Sequence, residues 1–162
     1  MASIISSLST TQIEALTTAQ LVSLSTSDWA ALSSSQLAAL TTEHISVMPT
    51  RAIAALTTAA MLGWETSDLE LLSTAQLRAF GTDDIVALGT TQIEALTSSQ
   101  VASLSTAQIR ALETADIVAL GSTDVAAMST VQVAALGTTQ ITALTTDQIA
   151  NLTTSQVAGL GT

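Results

Sequence analysis

The sequence predicts an all-α solenoid built from very short helices, and three observations carry that prediction. Leucine, or Met48, Trp64, Phe80 or Met128 in its place, returns every eighth residue from Leu8 to Leu160. The residue two places after it is Thr or Ser in every copy. Glycine gathers between the two, at Gly81, Gly89, Gly121 and Gly137. Self-similarity at a fixed short period marks a stacked repeat architecture, so residues 1–162 read as one array of about 20 octads.

With the leucine as position 1, the consensus is Leu-(Ser/Thr/Gly)-Thr-x-Gln-Ile-x-Ala. A single long helix cannot carry it. Eight residues at about 100° each advance roughly 800°, which rotates the leucine stripe by about 80° per copy. Sustained helical seams need repeats of seven or eleven. Within one octad the helical signals are strong. Position 6 and the next position 1 lie three residues apart and share a helical face. This predicts a core of Leu16, Leu24, Leu88, Leu96 and Leu104 with Ile85, Ile93 and Ile109.

Position 3 is then the expected N-cap, where a hydroxyl accepts from free backbone N–H groups; Thr18, Thr74, Thr90, Thr106 and Thr138 are examples. Position 5, mostly Gln or Asp, falls in the first turn, where Asp complements the helix dipole. The glycines at position 2 (Gly81, Gly89, Gly121, Gly137) take the C′ place, where a helix often ends in a left-handed residue. Each octad is thus about six helical residues and a two-residue corner, too short to be stable alone, so neighbouring coils must hold it. The simplest closed coil has two octads. The alternative is a thin β-solenoid, favoured by Thr and Ile; Gln and Ala are poor strand formers, and the Gly-Thr pair fits helix punctuation better.

Composition narrows the function. Three scattered arginines (Arg51, Arg78, Arg110) against thirteen acidic residues give a net charge of −10. That is no footprint for nucleic acid or an anionic membrane. Ser or Thr interrupts every apolar run well short of the roughly 20 residues of a membrane span, so no membrane insertion is expected. One histidine, no cysteine and no lysine remove most nucleophile–base pairings, and the serines lack a base to activate them. Neither an enzyme nor a cofactor is expected. His44 occupies a Gln column and reads as a polar replacement rather than a metal ligand. Asp83, Asp84, Asp68 and Asp116 read as helix-start carboxylates, because no calcium-binding loop surrounds them.

Copies 49 to 64, PTRAIAALTTAAMLGW, depart most from the consensus. Ala52 and Ala60 replace the position-5 Gln, and Gly63 replaces Ala; Trp64 is expected to fill the space that Gly63 leaves. The chain starts inside an octad and stops in phase, which suits a piece of a longer array or molecules that meet end to end.

The tract LSTAQIRAL (Leu104 to Leu112), with close copies at Leu16 to Leu24 and Leu72 to Phe80, resembles octad-rich regions of large bacterial adhesin-like or haemagglutinin-like surface proteins. The resemblance implies an extracellular or cell-surface spacer whose partners are copies of itself or flanking domains. It brings over no binding residue. A second expectation is a binding module, with Thr and Gln rows facing a glycan, mineral or ice surface.

Overall fold

The computed structural model describes residues 5–160; the extremes of the expected array, 1–4 and 161–162, lie outside that range. Every octad makes one short helix, and no strand occurs among the described residues, so the fold is a helical solenoid. Each helix stacks against the one three further along the chain. The coil therefore holds three octads, 24 residues, and the expected two-octad coil is corrected.

Three faces follow. The first stacks a 3₁₀ turn (Ile5–Ser7), α3 (Thr26–Ala30), α6 (Thr50–Ile53), α8 (Thr74–Leu77), α11 (Ser98–Ser103), α14 (Ser122–Ala127) and α17 (Thr146–Asn151). The second stacks α1 (Thr10–Glu14), α4 (Ser34–Leu37), a 3₁₀ helix (Thr58–Gly63), α9 (Thr82–Ala87), α12 (Thr106–Ala111), α15 (Thr130–Ala134) and α18 (Thr154–Gly159). The third stacks α2 (Thr18–Ser23), α5 (Thr42–Val47), α7 (Thr66–Leu71), α10 (Thr90–Glu94), α13 (Thr114–Ala119) and α16 (Thr138–Ala143).

The corner explains why three octads close a coil. Position 1 and position 2 are both extended, as at Leu24 (φ −59°, ψ 140°) and Ser25 (φ −75°, ψ 164°). A helix hairpin would reverse the chain, and short reversals commonly use a left-handed residue. No described residue has positive φ. Two extended residues instead join successive helices, and three such corners complete each coil.

The same geometry corrects both punctuation assignments. The N-cap is position 2, one residue earlier than expected: Thr17 caps α2, Ser73 caps α8 and Ser105 caps α12, so Thr18, Thr74 and Thr106 are the first helical residues. Thr90 and Thr138 likewise follow N-caps, which are Gly89 and Gly137. Gly81, Gly89, Gly121 and Gly137 have φ between −62° and −79° and start helices instead of ending them. A glycine there forgoes the hydroxyl cap that Ser or Thr supplies. Replacing Ser105 with Ala should cost about 1 kcal/mol in urea denaturation, and Thr106→Ala only a few tenths. Equal losses would contradict the register of the cap.

Position 6 faces inward along the interior coils: Ile85, Ile93 and Ile109 are fully buried. Leu88, Leu96 and Leu104 line the corners and are buried too, whereas Leu16 and Leu24, on the first coil, are half-buried. In the irregular coil the space beside Gly63 is taken by the backbone of Ser34, not by Trp64. Trp64 is buried and packs on Phe80, ring centroids 5.8 Å apart.

Candidate functional site

The chemistry of this chain is concentrated at position 5, on the inner side of each corner. Gln108 shows the pattern. Its own N–H donates to Ser105 Oγ (3.2 Å), and its Oε1 accepts from the Ser105 N–H (2.9 Å). These reciprocal bonds are a capping box. Its Nε2 then donates both hydrogens to the coil before it, to the carbonyls of Leu77 and Phe80, each at 3.0 Å. One side chain thus starts its own helix and fastens it to the end of another, 28 and 31 residues back.

The pattern recurs without change of register. Gln76 reaches Ile45 and Met48, Gln100 reaches Leu69 and Leu72, and Gln132 reaches Val101 and Leu104. Gln140, Gln148 and Gln156 continue it. These carboxamides are buried. Glutamine suits the place best, because it supplies one acceptor to the cap and two donors to the coil before. Glutamate would offer acceptors alone.

Replacements at position 5 show what the ladder tolerates. His44 mimics Gln: Nδ1 faces the Thr41 N–H (3.2 Å) and Nε2 lies 2.7 Å from the Leu16 carbonyl oxygen, which places the proton on Nε2. Among the described residues no group of three His, Asp or Glu side chains could hold a metal ion. Ala52 and Ala60 supply neither bond. Near the first gap Arg51 donates to the Val22 carbonyl (2.7 Å), and elsewhere Arg110 donates from Nε to the Ala135 carbonyl (3.0 Å). A groove of about 620 Å³ crosses the corner beside Arg110, bounded by Glu113 and Gln140. The arginine there is already engaged with backbone.

Asp84, Asp116 and Asp124 at this position keep the reciprocal bond to the N-cap N–H but have no amide donors for the two carbonyls of the coil before. Asp84 accepts from the Gly81 N–H (2.8 Å), and Asp124 accepts from Gly121 (2.9 Å) and from the Ser98 hydroxyl of the preceding coil (2.5 Å). Burial pushes the Asp68 and Asp84 carboxyls above their ordinary range; Glu65 adds to the shift at Asp68, while at Asp84 the Gly81 N–H works against it and Asp83 adds to it. A raised folded-state value means that the protonated group is favoured by folding. This contribution is complete below the unfolded carboxylate value, about 3.9 for Asp, and is lost as pH rises through the folded values. Asp68→Asn with Asp84→Asn should therefore raise the melting temperature at neutral pH and leave it nearly unchanged at about pH 3, below the unfolded carboxylate value. A gain of equal size at both pH values would rule out this origin.

Sequence reasoning placed position 5 correctly in the first turn but did not find its partners in the neighbouring coil. The findable signal was Ser/Thr-x-x-Gln, the capping-box signature, starting at position 2.

A family model described as the ALTTAQ repeat matches overlapping segments 64–98, 81–114, 98–130, 109–146, 117–154 and 132–162. Together these segments span residues 64 to 162, more than half of the chain. No curated protein matches it. The letters of the motif run from position 8 through the corner to the ladder glutamine, as in Ala143-Leu144-Thr145-Thr146-Asp147-Gln148. On this match and the periodic corners that it describes, the chain belongs to the ALTTAQ repeat family.

Proposed function

We propose that this chain is a structural array, a stiff extended spacer or scaffold segment of a bacterial surface or secreted protein, with no catalytic role. The carrying observation is the glutamine ladder, which fastens each coil to the next in one register along most of the array. Its side chains are spent on backbone, leaving a surface in which Ser, Thr and Ala predominate. No described helix is long and apolar enough to cross a membrane.

End-to-end association fits the same register. Gln12 and Gln20 on the first coil are exposed, while Ile149 and Val157 on the last are about half exposed (53% and 52%). A second copy set one coil beyond, or a flanking coil of a longer chain, would cover these residues as interior coils cover theirs. Small-angle X-ray scattering over a concentration series tests the reading. Between six and seven coils, spaced about 9 Å, make a rod of about 60 Å with a radius of gyration near 19 Å, against about 15 Å for a globule of this length. Growth of the rod with concentration would support association through its ends. A compact particle at every concentration would overturn the spacer.

One observation favours a second reading, a flat binding face. Position 3 on the third face is Thr in all six copies, Thr18 to Thr138, and five of these residues are exposed. The glutamines play no part in such a face, because interior carboxamides are buried. Inactivity in ice recrystallisation and on glycan arrays would remove this alternative.

A further inference from the structure

Charge is not shared evenly among the three faces. The third face holds seven of the thirteen acidic residues and none of the three arginines, a net −7 at neutral pH against −1 on the first face and −2 on the second. Five of the seven are exposed glutamates, Glu43, Glu65, Glu70, Glu94 and Glu113, spread over four successive coils. Coil spacing, about 9 Å, is close to the screening length at physiological salt, so their fields overlap along the rod.

The same face carries an apolar stripe. Positions 7 and 8 are small at most copies of the repeat, but four of the six coils here hold Val22, Val47, Leu71 and Val118, the last two 49% exposed, with Glu94 and Ala95 in the coil between Leu71 and Val118. None of the four belongs to the buried core. On the first face the same positions are mostly Ala, as at Ala30, Ala54, Ala102 and Ala126, interrupted by Arg78. The second face exposes Leu62, Val86, Val131 and Val157, but its net charge is only −2 and Arg110 lies there. Among the described residues the third face has the largest net negative charge of its own beside bulky exposed apolar side chains, with Arg51 reaching it at the Val22 carbonyl and Arg110 lying beside Glu113 at its edge.

We propose that this third face is a docking surface for a cationic amphipathic segment of a partner protein, its basic side chains facing the glutamates and its apolar side chains lying on the Val22–Val47–Leu71–Val118 stripe. Opposite charge selects the partner and speeds encounter, and removal of the stripe from water adds the salt-independent part of the affinity. The proposal is independent of the rod's length and of association through its ends.

The test uses the chain described here and a fluorescein-labelled helical peptide of Leu and Lys, patterned with leucines on one stripe and lysines flanking it, read by anisotropy. Glu70→Gln, Glu94→Gln and Glu113→Gln together should weaken binding about tenfold near 0.15 M salt. A control removing equal charge elsewhere, Glu14→Gln, Asp83→Asn and Asp147→Asn, should change it less than about twofold. Leu71→Ala with Val118→Ala should weaken it by a factor that persists at high salt. All these side chains are exposed, and circular dichroism checks that each variant is folded. Equal weakening by the two charge variants would overturn the proposal, since attraction would then follow total charge. Absence of binding by the parent, or sedimentation showing dimers that the third-face variant abolishes, would overturn it as well.

Discussion

Replacing Gln108 with glutamate is expected to destabilise the protein by about 3–5 kcal/mol near neutral pH, although the two side chains are almost the same size. The carboxamide is 2% exposed, and its Nε2 is placed between the carbonyl oxygens of Leu77 and Phe80. A carboxylate there sets negative oxygen against two acceptors and receives in return only the Ser105 N–H. Gln108→Ala should cost less, about 2 kcal/mol, because it leaves polar groups unpaired without burying a charge. The sign of the pH dependence separates the two. Protonation of the introduced carboxylate returns one donor, so the penalty of Gln108→Glu should shrink on acidification while that of Gln108→Ala stays constant. Urea denaturation at neutral and mildly acidic pH reads both; a glutamate variant within about 0.5 kcal/mol of the parent would refute the ladder as a source of stability.

Gly63→Ala should be nearly as costly, about 3 kcal/mol. A Cβ on Gly63 would run into the Ser34 carbonyl oxygen and lie 2.8 Å from its carbon and 2.9 Å from Ser34 Cα. The obstacle is backbone, which cannot rotate away as a side-chain tip can. Gly89→Ser is the matched control. A Cβ there meets only Gln92 Oε1, at 3.7 Å. The hydroxyl restores the missing cap, so this variant should be equal to the parent or more stable by a few tenths of a kcal/mol. If Gly63→Ala melts with the parent, the close approach of the 3₁₀ helix to α4 is not a constraint on this fold.

The sequence was most legible where the physics is local. Position 6 and position 1 share a helical face whatever surrounds them, so Ile85, Ile93 and Ile109 could be identified as buried from spacing alone. The cap was displaced by one residue because positions 2 and 3 both carry Ser or Thr, and glycine at position 2 suggested a helix end. Glycine also serves at an N-cap, where its backbone N–H still reaches the position-5 side chain, as Gly89 does with Gln92 Oε1 at 2.8 Å. The number of octads per coil was not legible. It depends on how far two extended residues turn the chain, and residue types do not set that angle. The inter-coil half of the ladder was hidden for the same reason: residues 28 and 31 apart become neighbours only once the coil has three sides.

A three-sided coil gives the array a frame. Most octads present the same corner, core pair and ladder side chain, so insertion or loss of one octad among the regular copies keeps the packing pattern of the rod. It would nevertheless move every later helix to an adjacent face, and Glu94 and Glu113 would no longer lie in line with Glu65 and Glu70. Gain or loss of three octads lengthens or shortens the rod by one coil and keeps each face in phase. Length can therefore drift in steps of 24 residues without scrambling the surface. A change of eight residues shifts the pattern downstream, much as a frameshift alters a reading frame.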